Sequence, residues 1–89
     1  MTTLSPPTVR VRVLLFARFA ELAGRPDLEL SLPAPATVSD VLRLVRGSFP
    51  GAERLPDRPL AAVNQVHAQA NSPVRDGDEI AFLPPLAGG

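Results

Sequence analysis

The chain contains no cysteine, lysine, tryptophan or tyrosine, and its one histidine is His67. Without cysteine, neither a disulfide framework nor a thiolate metal site is available. A single histidine falls short of the clusters that hold zinc, so no metal site is expected. No apolar run approaches the ~20 residues of a membrane span. The first residues lack the apolar core and small-residue cleavage site of a secretory signal, so a cytoplasmic location is expected. Nine basic residues balance nine acids. That balance argues against nucleic acid or a membrane surface as partner, since both favour a net basic face. There is also no glycine-rich loop to cradle a phosphate, and no lysine to hold an anionic substrate. No bound cofactor is expected on these grounds. The lack of lysine has a further chemical consequence. A carboxyl group activated on this chain finds no side-chain amine on its own domain to attack.

What is present is compact and heavily punctuated. Eighty-nine residues suit one domain, and 45% hydrophobic content suits a globular one. Eleven prolines divide the chain, with clusters at Pro6-Pro7, Pro33/Pro35, Pro56/Pro59 and Pro84-Pro85. Residues 1–8 read as a flexible leader. Val9, Val11, Val13 and Leu15 alternate with Arg10, Arg12, Leu14 and Phe16, which predicts a strand with the first set inward. A short helix is expected over 17–23, with Phe19, Leu22 and Ala23 inward and Gly24 ending it. Leu28, Leu30 and Leu32 mark a second strand, joined to the first by a hairpin-like connection.

The clearest helix is expected over 38–46. Val38, Val41, Leu42 and Val45 form one stripe, Thr37 and Asp40 supply a capping pair, and Gly47 closes it. Arg43 and Arg46 are expected to face water. Residues 48–59 read as irregular. Two short strands over 60–63 and 66–70 flank a turn at Asn64-Gln65. A tight turn at Arg75–Asp78 then leads to a last strand over 79–83. Its Ile80 and Phe82 share a face. The domain is therefore 9–83 and its class α+β, with helices packed on one face of a mixed sheet of about five strands. If the last strand returns beside the first, the arrangement is a β-grasp, the ubiquitin-like shape.

Residues 84–89, Pro-Pro-Leu-Ala-Gly-Gly, read as an exposed C-terminal tail. Proline keeps such a segment extended. A terminal glycine places its carboxylate where a narrow partner site can receive it, and Gly88 keeps the approach slender. The sequence Val11 to Gly24, the Ala61-Ala62-Val63-Asn64 segment and the Asp76-Gly-Asp-Glu…Pro-Pro-Leu-Ala-Gly-Gly89 ending carry a resemblance. Together they resemble the small, sulfur-carrier subunits of molybdopterin synthase, in the MoaD/ThiS ubiquitin-like family. Related carriers of thiamine synthesis share the diglycine but usually lack the Phe-Ala-x-x-x-Glu-Leu segment seen here at 16–22.

The resemblance implies that Gly89 is adenylated by an ATP-dependent, E1-like adenylyltransferase and then converted to a thiocarboxylate. The sulfur source would be a cysteine desulfurase or a rhodanese-type donor. The loaded tail would enter the synthase large subunit and give sulfur to cyclic pyranopterin monophosphate, two copies of each subunit assembling together. On that view this chain is a non-catalytic reagent and the large subunit owns the active site. Phe16, Phe82, Leu83, Pro84, Pro85 and Leu86 are the candidate partner-binding residues, with Phe82 equally readable as core. His67 is expected to face solvent without a catalytic role. Asp76, Asp78 and Glu79 read as turn residues rather than a cation site. Three alternatives stand beside the leading one: a carrier for thiamine or another sulfur pathway, a ubiquitin-like modifier conjugated through Gly89, and a β-grasp binding module without tail chemistry.

Overall fold

Alternation in the first strand sets the core. The computed structural model describes residues 7–48, 50–56 and 58–84. Strand β1 (Thr8–Leu15) begins one residue inside the expected leader and buries Val9, Val11, Val13 and Leu15. Each such side chain contributes roughly 1.5–3 kcal/mol when fully withdrawn from water. Helix α1 (Arg18–Ala23) follows and sends Phe19 into the same core, with Leu22 and Ala23 packed at its margin. Gly24 ends it in the left-handed region at φ 74°, where a side chain is disfavoured. Strand β2 (Asp27–Pro33) then runs antiparallel to β1, pairing Val9 with Leu32 and Val13 with Leu28.

A two-residue strand β3 (Ala36–Thr37) feeds directly into helix α2 (Val38–Arg46). The capping box forms as expected. The Asp40 N–H donates to Thr37 Oγ1 at 3.3 Å, and the Thr37 N–H donates to Asp40 Oδ2 at 2.9 Å. Two more N-terminal donors of α2 bond to the carbonyls of Ser72 and Ala70, so this helix end is tied into the fold. Val38, Val41, Leu42 and Val45 are all buried against the sheet.

Beyond the helix come a 3-10 turn over Ala52–Arg54, β4 (Leu60–Val63), β5 (Val66–Ala68), β6 (Pro73–Val74) and β7 (Glu79–Leu83). The five-stranded sheet has the order β2-β1-β7-β4-β5, and a second small sheet joins β3 to β6. β7 runs parallel to β1 and antiparallel to β4, so first and last strands lie together in the middle. The β-grasp expectation holds.

Three expectations need correction. The stretch 48–59 is not merely irregular, because its 3-10 turn buries Ala52 completely and Leu55 follows it into the core. This turn lies close to α1: a Cβ added at Gly51, whose φ is 93°, would stand 2.6 Å from the Leu22 carbonyl oxygen. Only glycine fits there. Arg46 faces water only in part. It is half-buried, and its Nη2 donates to the Glu53 carbonyl at 3.3 Å, bridging α2 to the same turn. The β3–β6 pair was also not foreseen, two residues per strand being too short for any period to register.

Candidate functional site

The inward residues of the sheet leave its other face to the residues between them. In the central strands the cross-strand neighbours on that face are Arg12 with Glu79, Leu14 with Ala81, Ala62 with Ala81, and Leu60 with Leu83. The face therefore divides in two. Toward the start of β1 it is charged, carrying Arg10, Arg12, Asp27, Glu29 and Glu79. Toward the end of β7 it is apolar, carrying Leu14, Leu60, Ala62, Ala81 and Leu83, with Phe16 just past the end of β1. Phe16 is 45% exposed and Leu60 42% exposed. Neighbouring exposed apolar residues of this size, set at the mouth of a central strand, form an apolar patch of the kind that suits a contact surface. The chain leaves β7 there, at Leu83 and Pro84.

The charged half is internally satisfied. Arg12 Nη2 donates to Asp27 Oδ2 at 2.7 Å, and Arg10 lies 3.9 Å from Glu29. Hydrogen bonding to Asp27, followed by Asp27's charge, raises the pKa of the Arg12 guanidinium. The folded value lies above the unfolded one. Any stability linked to it is present below the unfolded guanidinium range and lost only as pH rises through the folded value. Nothing near neutrality depends on it.

At the start of β7, the Asp76–Glu79 turn works as a latch. Asp76 Oδ1 accepts from the Arg10 N–H at 2.8 Å, and the Gly77 N–H donates to the Arg10 carbonyl at 2.7 Å. Asp78 Oδ2 accepts from the Arg75 N–H at 2.7 Å, while its Oδ1 accepts from Asn64 Nδ2 at 2.9 Å. Asn64 Oδ1 in turn accepts from the Glu79 N–H at 3.0 Å. The latch thus joins β1, the β4–β5 turn and β7 at one end. Asn64 adopts φ 50° and Gln65 φ 71°, the two-residue geometry that suits a hairpin.

The profile of the ThiS family matches residues 13–89 of this sequence. The chain belongs to the ThiS family. It is similar to the molybdopterin synthase sulfur carrier subunit of Arabidopsis thaliana, 37% identical over 92% of this chain and 85% of that protein. Its identity to the protein of the same name in Escherichia coli (strain K12) is 38%, over 89% of this chain and 99% of the other. Among solved structures, SAMP1 from Haloferax volcanii superposes with a TM-score of 0.79 at 31% identity. That match covers 90% of this chain and 99% of that one.

The expected site residues of this ThiS-family chain distribute unevenly over the fold. Phe16 is exposed beside the exit of β7, and Leu83 and Pro84 are half-buried along that exit. Phe82 is 1% exposed, and its place among the partner-binding residues is therefore corrected. It points inward with Ile80 and belongs to the core, because a strand alternates faces residue by residue. Pro85, Leu86, Gly88 and Gly89 lie outside the described residues. His67 is exposed on β5, opposite Ala62. The carboxylates of Asp76 and Asp78 are engaged by main-chain N–H groups within the latch, as the turn reading expected.

Leu60 and Ala62 were missed. Their outward parity is implied by Ala61 and Val63 pointing in, but their nearness to Leu83 depends on the pairing of β4 with β7. Among the described residues no cluster of three or more His, Cys, Asp or Glu side chains is arranged to hold a metal ion, and no helix is long and apolar enough to cross a membrane.

Proposed function

We propose that this protein is the sulfur-carrier subunit of a molybdopterin synthase and that Gly89 carries the sulfur. The single observation that carries the reading is structural. The central strand β7 leads out of the sheet beside an apolar face built from Phe16, Leu60 and Leu83, and the family match continues from there through residue 89. Such a face suits docking, and a chain leaving from its edge suits delivery of a terminal carboxylate into the docked partner.

The chemistry follows from what a carboxylate lacks. Its carbon is a poor electrophile at neutral pH. Attack of the Gly89 carboxylate on ATP gives an acyl-adenylate and pyrophosphate, placing AMP as a good leaving group. The outer sulfur of the donor's persulfide then forms a C–S bond as the C–O bond to AMP breaks. A second thiol on the donor or activator cleaves the S–S bond of that acyl disulfide, itself ending in a disulfide. The resulting thiocarboxylate is more nucleophilic than the carboxylate. It passes its sulfur to cyclic pyranopterin monophosphate, and water restores the carboxylate oxygen. This chain takes no cofactor and offers no general acid or base of its own. ATP is consumed by an E1-like adenylyltransferase, sulfur comes from a cysteine desulfurase or rhodanese-type donor, and the catalytic pocket belongs to the large subunit. Two copies of each subunit form the working assembly, in the cytoplasm.

Intact-mass measurement tests the chemistry. With activator, ATP and donor, the chain is expected to gain the mass difference of sulfur over oxygen, and a chain lacking Gly89 is not. A full-length protein that no cognate activator adenylates would sink the reading. A second reading has a specific support, since solved neighbours include small archaeal modifier proteins. In that case the activated Gly89 ends in an amide to a target lysine. Recovery of conjugates, with no conversion of the pterin by the loaded protein, would favour it over the carrier. Conversion of a thiamine-pathway acceptor instead would reassign the sulfur pathway.

A further inference from the structure

Among the described residues, six have positive φ, and three of these are glycines at 24, 51 and 77. Asn64 and Gln65 form the hairpin turn already described. The sixth is Ala17, at φ 51° and ψ −126°. These angles belong to the first central position of a type II′ turn, which normally takes glycine. The turn is closed by the Phe19 N–H, which donates to the Phe16 carbonyl at 3.0 Å. An alanine is therefore held in a strained conformation between the exposed Phe16 and the buried Phe19.

The surroundings hold it from both sides. Before it, the Leu15 N–H donates to Pro26 at 2.8 Å and the Phe16 N–H donates to the Phe82 carbonyl at 3.4 Å. After it, the Glu21 N–H donates to the Ala17 carbonyl at 3.3 Å, and Phe19 is 4% exposed. Strain that a glycine would relieve persists where the residue serves something other than stability. Phe16 lies past the last paired residue of β1. Besides its long N–H bond to the Phe82 carbonyl, this turn limits how its backbone can swing.

We infer that Ala17 is a positioning residue: its Cβ denies the turn the freedom a glycine would have, and so keeps Phe16 presented beside the exit of β7. The binding consequence rests on the docking role proposed above, whereas the ordering of Phe16 is a property of the free chain. Two versions of the full chain separate strain from freedom. Ala17→Gly relieves strain and adds freedom. D-alanine at position 17 relieves strain while keeping the Cβ, and chemical ligation with desulfurisation can install it because no cysteine is lost.

D-alanine is expected to raise the melting temperature by about 4–8 °C, the usual response of a small domain to a modest gain. It should leave NMR order at residues 16–19 unchanged and affinity for the large subunit within about twofold. Ala17→Gly is expected to lower that order, speed exchange of the Phe19 amide and weaken binding about fivefold without lowering the melting temperature. Unchanged order in Ala17→Gly would overturn the inference, as would lowered order with unchanged affinity. Failure of the unaltered chain to bind the large subunit would instead count against the docking role. The order measurement would then still decide whether Ala17 positions Phe16.

Discussion

The two ends of β7 are built for opposite purposes. At its start, Asp76, Asp78 and Asn64 spend their polar atoms on one another and on the main chain of β1 and β7. At its finish, Phe16 and Leu60 are exposed and Leu83 is half-buried, an apolar surface among the described residues. The Asp-Gly-Asp-Glu segment is among the most distinctive stretches of the sequence, yet its work is structural. The apolar finish is ordinary in composition and is the surface proposed above for docking. Distinctive residues mark where geometry is demanding. A docking face demands only exposed area of the right character.

That contrast is open to direct attack. Phe82→Ala removes a large core side chain next to the functional end and should cost about 3–5 kcal/mol of stability. Thermal or denaturant unfolding measures it, and a small loss would return Phe82 to the surface. Gly88→Val adds a β-branched side chain to the tail. It should leave the melting temperature and most partner affinity intact while sulfur transfer falls about 100-fold, the scale of a 1 Å misplacement at a reacting centre. Calorimetry and single-turnover conversion of the pterin precursor on the same preparation check the split. An equal fall in both would show that docking and delivery are not separate.

Phe16→Ala should weaken binding to the large subunit by about 1–3 kcal/mol, with little change in unfolding, as for an interface aromatic. The reverse pattern would make Phe16 a structural residue. Asn64→Ala removes two latch hydrogen bonds and a residue suited to positive φ. It should cost about 1–2 kcal/mol of stability and leave affinity per folded molecule unchanged. A binding defect there would mean that the two ends of β7 are coupled.

Much of the fold was legible because period and capping are local. Val9 to Leu15 alternate, Val38 to Val45 form a helical stripe, and Thr37 with Asp40 announces the helix start. In each case the residues that decide the structure are neighbours in sequence. The Asn64-Gln65 turn and the closing role of Gly24 were readable for the same reason. The burial of Ala52 and Leu55, the bond from Arg46 to Glu53 and the β3–β6 pair were not. They depend on which segments arrive beside α1 and α2 after the chain has closed.

The candidate site divides along the same line. The sequence by itself determined the inward and outward sets of β1, the α+β class, the lack of lysine amines and cysteine thiols in these 89 residues, and the family resemblance. Only the tertiary structure decided that Leu60 and Leu83 are neighbours, that Phe82 is core while Phe16 is surface, and that Ala17 bears strain. The physical reason is that parity along a strand is a property of one residue and its neighbours. Which strands pair, and at what register, is settled by the burial of the whole core at once.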